Sequence, residues 1–265
     1  MRRVASSPVY NQNTHHWGNR IEHLGRWIGG RVCSYDHDGM TLSGKSTDFL
    51  LDERFQKAYS LGIESGHRMM GPDGNADLHI EWRVHIACWA ASYALHLPGS
   101  FVECGVNTGI MSLAVCSFVD FNNTGKDFYL FDTFSGIPES QMSETERTAR
   151  LQENQKLYEE CYDRAVANFK PFPRAHLIRG TVPETLTSVN IESVCYLSID
   201  MNIAAPERAA MEFFWERLSP GAVVLLDDYG WQGYSEQKAV HDSFASAHGV
   251  AIATLPTGQG LILKS

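Results

Sequence analysis

This chain is short of paired cysteines, of basic clusters and of long apolar runs, and each shortage excludes a class of function. Its six cysteines, at 33, 88, 104, 116, 161 and 195, are scattered and form no C-x-x-C pair. Cys104, Cys116 and Cys195 fall inside apolar runs, where cysteine serves as a small buried hydrophobe. That usage suits a reducing, cytoplasmic setting better than a disulfide framework. Lys and Arg number 22 against 31 Asp and Glu, a formal charge of −9, and nowhere do the basic residues gather. A nucleic-acid partner is therefore not expected. The longest-looking apolar stretch, "AVVLL" at 222–226, has the length of a strand rather than a membrane span. The opening "MRRVASSPVY" has two arginines without the apolar stretch that a secretory signal needs behind them. No membrane association is expected.

What is present is an ordinary globular composition, 43% hydrophobic and 20% charged over 265 residues. Residues 1–75 are rich in Gly, His and aromatics and read as an irregular extension with one helix near 51–62, closed by the turn "GPDG" at 71–74. From Asp77 the apolar positions Leu78, Trp82, Ile86, Trp89, Tyr93 and Leu97 recur in steps of three or four, which predicts a long amphipathic helix capped by Asp77. Beyond residue 100 the chain alternates. Strand-like runs at 101–104, 127–131, 175–179, 194–199 and 222–226 are separated by helical segments, the clearest at 207–218 with Pro206 in its first turn. Alternation of this kind predicts an α/β fold with a mostly parallel, Rossmann-like sheet over 76–265. The final runs, 250–255 and 261–265, are joined by "PTGQG" and predict a C-terminal antiparallel hairpin. The charged stretch 141–170 reads as added helix, with a lid over the site as its functional alternative.

Ligands of open α/β sheets sit beyond the carboxyl ends of the strands. There the sequence places "ECGVNTG", with Glu103 at a strand tip and Gly105 and Gly109 behind it, and on the next strand Asp132. A dinucleotide fingerprint would need a glycine where Val106 stands. A carboxylate at position 103 suits a cationic amino-acid group better than a pyrophosphate. The set favours S-adenosylmethionine over NAD, with Asp132 accepting hydrogen bonds from a ribose. "LSIDMN" and "LLDDYG" bring Asp200, Asp227 and Asp228 to neighbouring strand ends, where converging carboxylates call for a hard cation such as Mg²⁺. Capping of the turn that follows is the alternative use of such a pair. Among the histidines, His85 and His241 stand nearest these motifs as candidates for proton transfer, while His15 and His16 read as part of the N-terminal region.

These pieces together resemble the macrocin O-methyltransferase (TylF/MycF) family, which includes tailoring enzymes of macrolide and aminocoumarin antibiotics. The matching stretches are "LPGSFVECGVNTG", "YLFDTFSGIPE", "IRGTVPETL", "LSIDMN", "LSPGAVVLLDDYG" and "LPTGQGLILK", in order between 97 and 264. The resemblance implies a class I methyltransferase fold and transfer of a methyl group to a hydroxyl of a sugar or similar natural product, with Mg²⁺ assisting. It implies that Glu103, Gly105, Val106, Gly109 and Ser112 line the methionine end of the cofactor, and that Asp132, Thr133, Phe134 and Gly180 surround the nucleoside. Asp200 would join Asp227 and Asp228 on the metal and also touch the cofactor and act as general base, with His241 as a second catalytic candidate. Asn202 stands where the family commonly has another aspartate, which makes the cluster less charged. A small hydroxylated acceptor is the implied partner, and a homo-oligomeric neighbour is left open. The readings to be separated from this one are an NAD-type oxidoreductase and a non-catalytic module that binds S-adenosylmethionine.

Overall fold

Where apolar side chains alternate along a strand, each sheet face receives every second residue, and the computed structural model shows that rule at work in its central strands. The structure describes residues 27–28 and 31–265; His15 and His16 lie outside the described residues. Two compact units divide the chain, Met1–Asp48 and Phe49–Ser265. In the first, β1 (Trp27–Ile28), β2 (Arg31–His37) and β3 (Met40–Ser43) form a three-stranded antiparallel sheet. The expectation of an irregular segment is corrected here. Asp38 and Gly39 both take positive φ, 51° and 69°, the geometry of a tight hairpin turn for which Asp-Gly is suited.

The second unit begins with α1 (Glu53–Ile63), capped by Asp52, whose carboxylate accepts from the Arg54 N–H. This helix packs on α3 (Ile110–Phe118) so closely that a Cβ on Gly62 would lie 2.3 Å from the Ile110 carbonyl oxygen. Residues 49–75 therefore belong with the sheet, and the expected boundary at 75/76 moves to 48/49. The helix α2 runs Glu81–Ala94, three residues later than expected at its start. Asp77 does not cap it; its Oδ1 accepts instead from the Tyr59 hydroxyl at 2.6 Å and the His79 N–H at 3.0 Å. Its buried face is also not the predicted one. Val84, Ala87, Cys88, Ala91 and Ala94 face the core, whereas Trp89 and Tyr93 are 46% and 43% exposed. Small side chains let this helix approach the sheet, and that requirement outweighs the larger apolar stripe.

Seven strands form the main sheet: β4 (Ser100–Cys104), β5 (Phe128–Asp132), β6 (Ala175–Arg179), β7 (Val194–Ile199), β8 (Leu218–Leu226), β9 (Ala253–Thr254) and β10 (Gly260–Leu263). Their order is β6-β5-β4-β7-β8-β10-β9, with parallel pairing from β6 to β8. The last strand runs antiparallel to both its neighbours, so the expected C-terminal hairpin is present with β10 inserted between β8 and β9. On one face Val102 and Cys104 join Phe131, Leu197 and Val224 under Met211 and Phe214 of α6 (Ala204–Trp215) and Phe244 of α7 (Ser235–His248). On the other, Phe101, Phe128 and Leu130 pack beneath α2, α3 and α5 (Tyr162–Phe169). Between β5 and α5, the charged 141–170 segment supplies α4 (Glu144–Leu157), begun by a reciprocal capping box of Ser143 and Glu146. No helix among the described residues is long and apolar enough to cross a membrane.

Phe101 is fully buried among the rings of Phe121, Phe128 and Tyr196, with centroids 5.5, 5.7 and 5.0 Å away. Truncation at such a site leaves a cavity, so Phe101→Ala is expected to lower unfolding free energy by about 3–5 kcal/mol. A denaturant midpoint within error of the parent would contradict this packing.

Candidate active site

Parallel pairing aligns the carboxyl ends of β4, β5, β7 and β8 at one edge, and the acidic residues of four separate motifs meet there. They line a cavity of about 350 Å³. Of the expected residues, Glu103, Gly105, Val106, Asp132, Thr133, Phe134, Gly180, Asp200, Asp227 and Asp228 are in its wall. Gly109, Ser112 and His241 are not.

The loop after β4 is built by close backbone contact. Gly105 has φ 92°, and a Cβ there would lie 1.7 Å from the Asp200 carbonyl oxygen, so only glycine lets the ends of β4 and β7 cross. Asp132 then ties this loop to β5. Its Oδ2 accepts from the Val106 and Asn107 N–H groups at 2.5 and 2.8 Å, and its Oδ1 from the Phe134 N–H at 2.5 Å. The carboxylate that was expected to meet a ribose thus first organises the backbone around it. Asn107 and Phe134 hold left-handed conformations, φ 51° and 55°, a strained geometry that the surrounding bonds must maintain.

Three corrections follow. A Cβ on Gly109 would strike the Phe169 ring at 2.6 Å, so this glycine serves helix packing rather than a ligand. Ser112 stands behind Glu103 and donates to its Oε1 at 3.2 Å. His241 is 1% exposed, with Nε2 2.9 Å from Glu207 Oε2. The other oxygen of Glu207 accepts the N–H groups of Met201 and Asn202, each at 3.1 Å, and the Gln237 amide at 2.6 Å. His241 therefore braces, through Glu207, the loop that carries Asp200. His85 is likewise outside the cavity wall, stacked on Phe49 with centroids 4.1 Å apart.

Glu103 is fully enclosed, and its Oε2 has no hydrogen-bond partner. Burial, reinforced by the charges of Asp227 and Asp132, pushes its pKa up to about 8. A buried carboxyl with one oxygen unpaired, in a cavity wall, suits the ammonium group of a methionine moiety. Asp200 and Asp228 also favour their protonated forms, because protein surrounds them and Asp227 lies nearby, with Arg83 opposing the shift. Divalent metal fits this cluster less well. Asp227 is already engaged on both oxygens, by Arg83 Nη1 at 2.7 Å and Gln259 Nε2 at 3.0 Å. Among the described residues, the only His, Cys, Asp and Glu group with ligand atoms within 4.8 Å of one another is Asp77, His79 and Glu81, not the three expected aspartates.

Sequence reasoning missed Arg83, Tyr158, Trp231 and Tyr234, which complete the cavity wall. Tyr158 follows the last turn of α4, and Arg150 of that helix lies over the Tyr234 ring at 3.5 Å while donating to the Gly233 carbonyl at 2.9 Å. The 141–170 segment therefore forms one side of the cavity.

Comparison with known proteins agrees with this geometry. The profile of the macrocin-O-methyltransferase (TylF) family matches residues 83–254. A relative from Streptomyces olivaceus, the 8-demethyl-8-(2,3-dimethoxy-alpha-L-rhamnosyl)-tetracenomycin-C 4'-O-methyltransferase, is 26% identical over 153 residues. That match spans 55% of this chain and 58% of the relative, less than two thirds of its length. Among solved structures, the O-methyltransferase NovP aligns with a TM-score of 0.67 at 18% identity, over 83% of this chain and 100% of that one. The calicheamicin methyltransferase CalS11 aligns with a TM-score of 0.55 at 16% identity, over 84% and 98% of the two chains. At these identities the structural likeness concerns the fold.

The raised pKa of Glu103 has a consequence for stability. Its carboxyl titrates near 4.5 when unfolded and near 8 when folded, so the stabilisation it contributes is complete below the lower value and lost as pH rises through the upper. Melting temperature should fall between pH 6 and pH 9 by a larger amount in the parent than in Glu103→Gln, which has nothing to ionise there. Parallel profiles for the two proteins would contradict the assignment.

Proposed function

The chain belongs to the macrocin-O-methyltransferase (TylF) family, and from that premise we propose that it transfers a methyl group from S-adenosylmethionine to a hydroxyl of a sugar or related natural-product acceptor. The observation that carries this reading is the composition of one cavity: a buried glutamate with one oxygen unpaired and a glycine-built loop at one strand end, and three aspartates at the neighbouring ones. Bound S-adenosylmethionine supplies an electrophilic methyl group on a sulfonium. Glu103 would pair with the methionine ammonium, and Gly105, in the same cavity wall, would lie beside that end of the molecule. Asp132, Thr133, Phe134 and Gly180 would enclose the nucleoside.

On the acceptor side, Asp200 takes the hydroxyl proton as the oxygen attacks in line. Burial and the neighbouring charges of Asp227 and Asp228 raise the proton affinity of its carboxylate, which favours that role. The apolar rims of Tyr158, Trp231 and Tyr234 exclude water from the transfer and offer flat surfaces to a sugar or its aglycone. The Streptomyces relative is named for methylation at a rhamnosyl 4'-hydroxyl of a tetracenomycin. A glycosyl hydroxyl on an apolar aglycone is the acceptor class proposed here. The Mg²⁺ expected from the sequence has no step in this scheme, because the side chain best placed to hold it is already paired with Arg83.

Calorimetric titration tests the cofactor assignment. S-adenosylhomocysteine should bind one per chain and NAD should give no heat. Asp132→Ala should weaken S-adenosylhomocysteine by about tenfold or more, since each lost backbone bond to a charged acceptor is worth about 1.5–3 kcal/mol. Asp200→Asn should leave that affinity within a few-fold and slow methyl transfer by about 10²–10⁴-fold. Binding of NAD without S-adenosylhomocysteine would overturn the reading.

A further inference from the structure

The acidic cluster has a cation of its own, and it belongs to the chain. Asp227 is 7% exposed at the end of β8, and its Oδ2 receives Nη1 of Arg83 at 2.7 Å from the facing side of α2. The Arg83 side chain is 19% exposed, and its guanidinium carbon lies 5.7 Å from the Trp231 ring centroid, in the loop that follows the two aspartates. The other oxygen of Asp227 receives the Gln259 amide. Gln259 is fully buried and held in turn by the Thr257 hydroxyl at 2.9 Å. Both faces of the Asp227 carboxylate are thus fixed by side chains from distant parts of the sequence.

The remaining members are arranged in keeping with this. Asn202 brings an amide instead of a carboxylate, and its Nδ2 donates to Asp200 Oδ1 at 3.3 Å. Mg²⁺ demands near-octahedral oxygen ligands and gives up its water reluctantly. Entry of such an ion would require Asp227 to turn from Arg83, leaving a half-buried guanidinium beside a double positive charge. That exchange removes one charge-assisted hydrogen bond and adds like-charge repulsion in a poorly solvated site.

We propose that Arg83 takes the place of a divalent ion in this cluster, so that the site does not bind Mg²⁺ and methyl transfer runs without it. The first clause concerns the carboxylates alone; the second rests on the methyltransferase reading above. Arg83 acts as a positioning residue, fixing Asp227 and supplying the positive charge that the three aspartates would otherwise draw from solution.

The test uses the intact protein and Mn²⁺ as a paramagnetic substitute for Mg²⁺. The parent should show no saturable Mn²⁺ site attributable to Asp227, so Asp227→Asn should leave the titration unchanged. Arg83→Gln should open the cluster and gain one site at least about tenfold tighter than any in the parent, and adding Asp200→Asn should remove it. Arg83→Lys keeps a cation and should behave as the parent. A parent site that Asp227→Asn abolishes overturns the proposal, as does a cooperatively melting Arg83→Gln protein with no gained site. If Arg83→Gln does not fold, the parent and Asp227→Asn titrations decide. Methyl transfer should be the same with EDTA as with Mg²⁺, and loss in EDTA restored by Mg²⁺ overturns the second clause. A protein that binds no S-adenosylhomocysteine would sink the methyltransferase reading while the Mn²⁺ result still judges the first clause.

Discussion

The carboxylate of Asp132 is the join on which the site depends. Three backbone N–H groups, from Val106, Asn107 and Phe134, converge on it. Charge-assisted bonds of this kind are the stronger ones a backbone can make. They hold the loop after β4 against the loop after β5, and they keep Phe134 in a left-handed conformation that a bulky residue rarely adopts, beside Asn107, whose side chain tolerates it. Gly105 completes the arrangement by letting β4 pass within contact of the Asp200 carbonyl. From these few constraints come the shape of the cavity and the placing of Asp200 opposite the glycine loop.

Charge within the cavity is balanced locally. Six acidic residues line one space of about 350 Å³, five of them, Glu103, Asp132, Asp200, Asp227 and Asp228, at the strand ends. Asp132 is neutralised by backbone dipoles, Asp227 by Arg83, and Glu103 by retaining its proton. What remains is a chamber lined by carboxyl oxygens, acceptors suited to a ligand that carries a sulfonium and an ammonium. Behind it, Glu207 with His241 and Gln237 forms a second buried layer that fixes the 200–202 loop from below. Buried carboxylates bonded this fully tend to rigidify what they touch.

Much of this was legible in the sequence, because strand ends announce themselves. Apolar runs that stop at Glu103, Asp132, Asp200 and Asp227 must place those residues at one edge once the strands are parallel. The family emerged from the same motifs. What stayed hidden depends on contacts distant in sequence. Arg83 meets Asp227 across 144 residues, and nothing in its own neighbourhood marks it out. Gly109 carries the same signal as Gly105, yet its requirement comes from Phe169 of another helix. His241 reads as a base by its place after "DDYG", and only its burial against Glu207 shows that it braces a loop instead. On α2 the large apolar stripe misled, since the sheet selected the alanines. The β2–β3 hairpin is a different case, because its Asp-Gly turn was readable from the start.

The most direct measurement is to supply S-adenosylmethionine labelled with carbon-13 in its methyl group, together with glycosylated natural-product acceptors, and to read the product by NMR. The account predicts one labelled carbon per turnover with the shift of a methyl ether on a sugar hydroxyl. Label on nitrogen, or cofactor binding with no transfer to any hydroxylated acceptor, would contradict it.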